Sequence, residues 1–258
     1  IIGTEVPLPG GMQKGHHKVE ITSPEDAKET IDVCRKAFLR HGLPKAWKRV
    51  VALVVQPGVE FGDETVTPYS RNKARHLSKF MEKVPGMVYE AHSTDYQKPD
   101  ALKEMVEDHF AILKVGPEVT FAFREAVFSL EDIERELLAH SRSTRKSNLK
   151  HVLESAMVRN PKYWINYYHG TPRQVAHARP FSFSDRIRYY WSTPEAKKAL
   201  GVLFHNISRT PVPMELLERY IPGRFSRVRD GAIPRKPESL VIARIMEVTG
   251  KYSRACGL

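Results

Sequence analysis

The sequence predicts an α/β fold, because its first half alternates short apolar runs with amphipathic stretches. Four runs rich in β-branched residues read as strands, at residues 1–6, 50–56, 87–92 and 111–115. The run VVALVV is apolar throughout, which is typical of a strand buried on both faces of a parallel sheet. Repeated strand–helix units of this kind predict either a doubly wound sheet or a β/α barrel.

Helices are expected after each strand, at residues 24–41, 70–84, 100–108 and 118–138. The first has a clear start, since Ser23 precedes Pro24 and acidic residues follow in the first turn. A complete (β/α)₈ barrel needs eight strands, and all the candidate strands here lie before residue 116. A barrel interpretation therefore predicts only the second half of a TIM-type barrel in this chain.

The strand pattern ends near residue 140, and short helices separated by prolines are expected beyond it. They are predicted at residues 148–158, 161–169, 184–190, 194–206, 213–220 and 237–251. The charge changes at the same place: residues 1–140 carry 19 basic and 22 acidic side chains, whereas residues 141–258 carry 22 and 8. We therefore expect a half-barrel domain at 1–140 and a basic α-helical extension at 141–258.

Several classes of protein are excluded by what the sequence lacks. Its apolar runs are too short to span a bilayer, so no membrane association is expected. Cys34 and Cys256 form no CxxC motif, which fits a reducing cytoplasm and not a disulfide scaffold. The basic charge suggests nucleic acid, but no recognised nucleic-acid motif accompanies it. GxxxxGK[ST] and GxGxxG motifs are also missing, so no nucleotide cofactor is expected.

Candidate chemistry lies where the strands end, because ligands of parallel α/β folds bind at the carboxyl ends of strands. The polar residues at these ends are Glu5, Gln56, His92, Asp95 and Lys114. A carboxylate and an imidazole are suitable ligands for a divalent metal such as zinc, so Glu5 and His92 are candidate metal ligands. Lys114 could stabilise an oxyanion or bind a phosphate. The structural alternative is that Glu5 caps a helix and that His92 is a hydrogen-bonded scaffold residue.

A second candidate site lies in the basic half, where arginines alternate with serines and aromatic residues in FSFSDRIRYYW. Ser184, Arg186 and Arg188 have the composition of a phosphate-binding group, since arginine binds phosphate through paired hydrogen bonds. The alternative is that the aromatic side chains of this segment simply pack it onto the rest of the fold.

Five segments, in this order, resemble the Z-subunit family of D-tagatose-1,6-bisphosphate aldolase: IGTEVPLPGG, ALVVQPGVEF, EAHSTDYQ, DHFAILKVGP and SFSDRIRYYW. The resemblance extends over essentially the whole chain. It implies a TIM-type barrel related to class II aldolases, with further barrel strands before IGTEVP that this chain would lack. It also implies a sugar-phosphate ligand, tagatose 6-phosphate or tagatose 1,6-bisphosphate.

The resemblance leaves three functions open. Family members are described as accessory subunits that support the catalytic aldolase subunit, as tagatose-6-phosphate kinases, or as 4-epimerases of tagatose 6-phosphate. The kinase description fits the sequence least, because no ATP-binding motif is present. For an epimerase, Glu5 and His92 would be metal ligands or acid–base groups. Gln56 and Asp95 would orient hydroxyls and Lys114 would stabilise negative charge. Arg186 and Arg188 would hold the 6-phosphate.

Overall fold

The computed structural model describes residues 1–3, 19–141 and 143–258. Within this part of the chain, no helix is long and apolar enough to cross a membrane. The residues divide into two compact units: unit 1 is Ile1–Gly116 with Gly250–Leu258, and unit 2 is Pro117–Thr249.

Unit 1 is built on a small parallel sheet. Its strands are β1 (Ala52–Val55), β2 (Glu60–Phe61), β3 (Val66–Thr67), β4 (Val88–Ala91) and β5 (Ile112–Leu113). β1, β4 and β5 are parallel neighbours in that order, and β2 and β3 form a short antiparallel pair. Ile2 adds a parallel bridge to Leu53, since its N–H donates to the Ala52 carbonyl at 2.9 Å.

Unit 1 has four helices within the described residues, and the sequence predicts the first, third and fourth of them. They are α1 (Pro24–Arg40), α2 (Pro44–Trp47), α3 (Arg71–Met81) and α4 (Pro99–Glu107). The Ser23 hydroxyl accepts a hydrogen bond from the Asp26 N–H at 3.0 Å, which caps α1 as its sequence signature indicates. In the core, the Tyr89 ring of β4 stacks on Phe110 with 5.1 Å between centroids.

The α/β class and the parallel sheet are confirmed, and the predicted strands at 50–56, 87–92 and 111–115 contain β1, β4 and β5. A TIM-type barrel is not confirmed, because the parallel sheet of the described residues has three strands and the bridge at Ile2. Most of the predicted strand at 1–6, including Glu5, lies outside the described residues.

Unit 2 consists of helices. They are α5 (Pro117–Leu137), α6 (Leu149–Arg159), α7 (Pro172–Phe181), α8 (Pro194–Arg209), α9 (Met214–Tyr220), α10 (Pro222–Arg229) and α11 (Pro237–Ala255), with 3₁₀ turns at Pro161–Tyr163 and Arg186–Tyr190. The last turn of α11 belongs to unit 1. Sequence reasoning missed α7, whose start is a capping box between Thr171 and Gln174, because Pro180 in its last turn disguises it.

The division between the units falls before α5, whereas the sequence suggested a boundary at residue 140. Ala126, Leu130 and Ile133 of α5 are fully buried in one apolar cluster with Leu153 of α6 and Leu203 of α8. The apolar face of α5 is therefore covered by the helices that follow it in sequence, and this contact determines the unit to which α5 belongs.

Candidate functional site

Three polar side chains converge at the carboxyl ends of β4 and β5. Glu90 and His92 are two residues apart, so they point to the same face of the strand. Glu90 pairs in register with Ile112, and Lys114 lies two residues further along the same direction. The Nε2 atom of His92 lies 2.7 Å from Glu90 Oε1, and the Lys114 Nζ atom lies 4.0 Å from the same oxygen.

The burial of this group differs from one member to the next. The Glu90 side chain is 7% exposed, that of His92 is 25% exposed, and that of Lys114 is 56% exposed. A buried carboxylate is costly unless it is paired, and the imidazole and the ammonium supply its partners. Lys114, which interrupts an apolar run in the sequence, therefore carries its ammonium out of the strand toward solvent beside Glu90.

The pairing with Glu90 fixes the tautomer of the neutral His92 ring. An ionised carboxylate only accepts hydrogen bonds. In the neutral ring, Nε2 therefore carries the hydrogen and donates a hydrogen bond to Glu90. The Nδ1 atom is then the basic nitrogen of the ring. A carboxylate–imidazole pair of this kind can accept and return a proton, and the neighbouring ammonium can stabilise negative charge. Sequence reasoning missed Glu90; the available signal was a charged residue within a strand, two positions before the candidate histidine.

Gln56 follows β1 but turns back onto its own loop. Its Oε1 atom accepts hydrogen bonds from the N–H groups of Gly58 at 2.8 Å and Val59 at 3.2 Å. Gly58 has a φ of 90°, and a side chain there would lie 2.8 Å from Ile21. Gln56 therefore shapes the loop after β1, and its role toward a ligand hydroxyl stays a prediction.

Asp95 also contacts backbone. It is buried, and its Oδ1 atom accepts a hydrogen bond from the Gly116 N–H at 2.9 Å, which ties the loop after β4 to the loop after β5. Its predicted role toward a substrate hydroxyl is not tested by this contact.

Glu60, at the start of β2, is a carboxyl group with a raised pKa. Burial raises the pKa of Glu60 above its ordinary value, and the nearby Asp95 carboxylate raises it further. Hydrogen bonds from the Phe61 N–H and from Ser93 act in the opposite direction. The folded protein therefore binds a proton at Glu60 more tightly than the unfolded chain does.

We expect Glu60→Gln to change the pH dependence of stability. Because the folded-state pKa is raised, the contribution of Glu60 is fully present below the unfolded value of 4.5 and is lost as pH rises through the folded pKa. Glutamine does not titrate, so the variant has no such contribution to lose. Its stability relative to wild type should therefore increase as pH rises through this window. Urea unfolding at a series of pH values measures the difference. Glu107→Gln is the control with the opposite sign, since hydrogen bonding to Arg71 lowers the pKa of Glu107. A Glu60→Gln curve parallel to wild type would contradict the prediction.

The predicted phosphate-binding residues lie in unit 2, and each contacts protein groups. Ser184 is buried, with its hydroxyl 2.8 Å from that of Ser182. Arg186 is buried, donates from Nη1 to the Tyr163 carbonyl at 3.0 Å and stacks on the Tyr167 ring. Burial lowers the pKa of Arg186.

Arg188 donates to the carbonyls of Ser184 and Asp185 and to the Tyr189 hydroxyl. The structure thus gives these residues a scaffolding role, and phosphate binding by them stays a prediction.

Sequence reasoning missed the buried ion pair in the same segment. Asp185 has left-handed backbone, with a φ of 46°, and its Oδ1 atom accepts a hydrogen bond from Arg124 Nε at 2.7 Å. Its other oxygen accepts from the Thr120 hydroxyl at 2.6 Å. The side chains of Arg124 and Asp185 are 2% and 0% exposed. This pair connects α5 to the SFSDRIRYYW segment.

The predicted metal site cannot be assembled from the described residues. Glu5 lies outside them, and within the described ranges no three His, Cys, Asp or Glu side chains are grouped so that they could hold a metal ion. His92 and Glu90 supply an imidazole and a carboxylate, but the Nε2 atom of His92 already faces the Glu90 carboxylate.

The sequence model of a family described as D-tagatose-1,6-bisphosphate aldolase subunit GatZ/KbaZ-like matches residues 1–257. The chain belongs to this family. The resemblance inferred from the five sequence motifs is therefore confirmed. The match by itself does not support the expectation that the chain lacks an N-terminal part of the family.

A solved structure is similar over both units. The crystal structure of a probable tagatose 6-phosphate kinase from Sinorhizobium meliloti 1021 has 43% sequence identity and a TM-score of 0.89 to this GatZ/KbaZ-like chain. The similarity covers 98% of this chain and 62% of that chain. This chain thus spans less than two thirds of the length of the solved relative.

Proposed function

We propose that the chain acts in the breakdown of tagatose phosphates, as an accessory subunit that supports the activity and stability of tagatose-1,6-bisphosphate aldolase. The observation that carries this proposal is the family match over residues 1–257, because the family is one of subunits of that aldolase. The partner would be the catalytic aldolase subunit, the ligand a tagatose phosphate, and the location the cytoplasm. The consecutive parallel order of β1, β4 and β5 favours part of a TIM-type barrel as the framework.

The proposed sugar-phosphate site is the Glu90, His92 and Lys114 group, which we call the strand-end triad. Lys114 is half exposed, so its ammonium is accessible to an anionic oxygen of the sugar phosphate. His92 presents one ring nitrogen to Glu90 and keeps the other for a hydroxyl. A divalent metal held by Glu5 and His92 is a further proposal.

The second candidate function is a D-tagatose 6-phosphate 4-epimerase, and the strand-end triad is the observation that favours it. The Nδ1 atom of His92 would take the proton of the C4 hydroxyl while the C3–C4 bond breaks. The electron pair of that bond would pass to the C2 carbonyl, giving an enediolate whose charge Lys114 stabilises. Addition of C3 to the opposite face of the C4 aldehyde reforms the bond, and His92 returns the proton.

The kinase activity that names the solved relative is not proposed for this chain. Phosphoryl transfer needs groups that hold the nucleotide phosphates and their Mg²⁺, and the sequence has no GxxxxGK[ST] loop.

Co-expression with the catalytic subunit of the aldolase distinguishes the two functions. We expect the catalytic subunit to co-purify with the tagged chain and to gain activity and soluble yield from it. Residues 141–258 carry a net charge of +14, so association through this basic half should weaken as salt rises from about 50 to 500 mM.

The same preparation of the chain alone is assayed for conversion of tagatose 6-phosphate to fructose 6-phosphate. Association without conversion supports the accessory subunit, and conversion without association supports the epimerase. If the chain shows no association and no conversion, both proposals are contradicted.

A further inference from the structure

The loop after β4 has a costly backbone conformation. This site loop, residues 93–97, directly follows His92 and contains two non-glycine residues in the left-handed region, Ser93 with a φ of 56° and Tyr96 with a φ of 63°. Each such residue costs about 1 kcal/mol or more, so the conformation persists only where surrounding contacts hold it.

Contacts from within the sheet region hold part of the site loop. The Thr94 hydroxyl donates to the Lys114 carbonyl at 2.7 Å, and Asp95 accepts from the Gly116 N–H. The Gln97 amide oxygen accepts from the Tyr69 N–H at 3.0 Å, and its amide nitrogen donates to the Thr67 carbonyl at 2.9 Å. These bonds join side chains of the loop to the neighbouring loops of unit 1.

The backbone carbonyls of the site loop are held from elsewhere in the sequence. The Tyr252 hydroxyl donates to the Thr94 carbonyl at 2.8 Å, and the Lys251 ammonium donates to the Gln97 carbonyl at 3.0 Å. Both donors lie in the last turn of α11 and belong to unit 1. Tyr252 is 8% exposed, so its hydroxyl has little access to water as an alternative partner.

We propose that Tyr252 and Lys251 are positioning residues of the strand-end triad. By binding one carbonyl near each end of the site loop, they fix the path of the chain as it leaves His92. The Tyr252 contact also fixes Thr94, whose hydroxyl binds the carbonyl of Lys114, so this contact acts on two members of the triad. The ligand consequence rests on the proposed function, whereas the effect on the loop and on His92 does not.

Tyr252→Phe in the whole protein tests the proposal, with Tyr89→Phe as a matched control. Tyr89 is also buried, and its hydroxyl donates to the backbone carbonyl of Leu77 at 2.9 Å, on α3 and away from the site loop. Both variants lose one hydrogen bond from a tyrosine to a carbonyl, so similar decreases in thermal stability are expected.

Only Tyr252→Phe should speed amide hydrogen exchange in residues 93–97, by roughly 2- to 10-fold, the range that one net hydrogen bond gives. It should also shift the ring resonances of His92 in the free protein, identified by their loss in His92→Asn. Lys251→Met, which keeps the apolar stem, should speed exchange at the Gln97 end of the loop.

Titration with tagatose 6-phosphate separates this inference from the proposed function. Weaker binding by Tyr252→Phe than by Tyr89→Phe supports both. Changed loop exchange and His92 resonances without sugar-phosphate binding by wild type would contradict the proposed site and leave the positioning role standing. Equal exchange and unchanged His92 resonances in the two variants, despite equal stability losses, would overturn the inference.

Discussion

Replacing Asp185 with asparagine is expected to lower the free energy of unfolding by about 3–5 kcal/mol, the usual cost of removing one charge from a buried ion pair. The Arg124 guanidinium lies over the Phe121 ring at 4.1 Å and has no access to water, so it would keep an uncompensated charge. Asparagine is the better variant because it preserves size and tolerates the left-handed backbone of residue 185. Alanine at this position would add backbone strain to the loss of charge.

Equilibrium urea unfolding followed by circular dichroism measures this effect. Asp230→Asn is the matched control, because Asp230 also contacts an arginine at 3.0 Å but the two side chains are about 60% exposed. An exposed pair contributes about 1 kcal/mol or less, so the control should unfold nearly as wild type does.

The double variant Arg124→Met with Asp185→Asn tests the cause of the destabilisation, because asparagine tolerates the left-handed backbone of residue 185. It removes both charges, so no uncompensated charge stays buried, and it should be more stable than Asp185→Asn alone. Equal losses for Asp185→Asn and Asp230→Asn would contradict the buried-charge interpretation.

The ion pair also illustrates which features of this fold the sequence could predict. The apolar run that contains β1 identifies a buried strand from local pattern alone, and the Ser23–Pro24 signal places the start of α1. Asp185 stands beside two arginines in the sequence, yet its charge partner is Arg124, 61 residues away. Only packing of the helices selects that partner, so no local pattern could reveal it.

The sequence predicts only some residues of the candidate site. Strand ends predicted His92 and Lys114 as neighbours, because parallel strands end at one edge of a sheet. The structure adds Glu90, whose role depends on the period of two along β4 and on its register with β5. Gln56 and Asp95 also lie at strand ends, but their side chains fold back onto backbone N–H groups. Residue type and position could not separate these two from the triad.

Replacing His92 with asparagine is the second large effect that we expect, and it concerns chemistry. The reaction concerned is the conversion of tagatose 6-phosphate, the second candidate function. The variant should lower kcat for this reaction by about 100- to 10,000-fold, the range for loss of a general acid–base group. Asparagine keeps a polar group at the site but cannot take up a proton. His76→Asn, an exposed histidine on α3, is the control and should behave as wild type. Association with the catalytic aldolase subunit should be unchanged in both variants.

Substitutions of Glu90 distinguish a proton-transfer role of His92 from a structural one. Glu90→Gln keeps an oxygen that accepts the Nε2 hydrogen bond and loses only the charge, so kcat should decrease by about 10-fold, the lower end of the effect of removing a supporting partner of a histidine. Glu90→Ala loses both the acceptor and the charge and should decrease kcat further. Turnover of His92→Asn equal to that of wild type would contradict acid–base catalysis by the triad, and the accessory-subunit proposal would then rest on the association measurement alone.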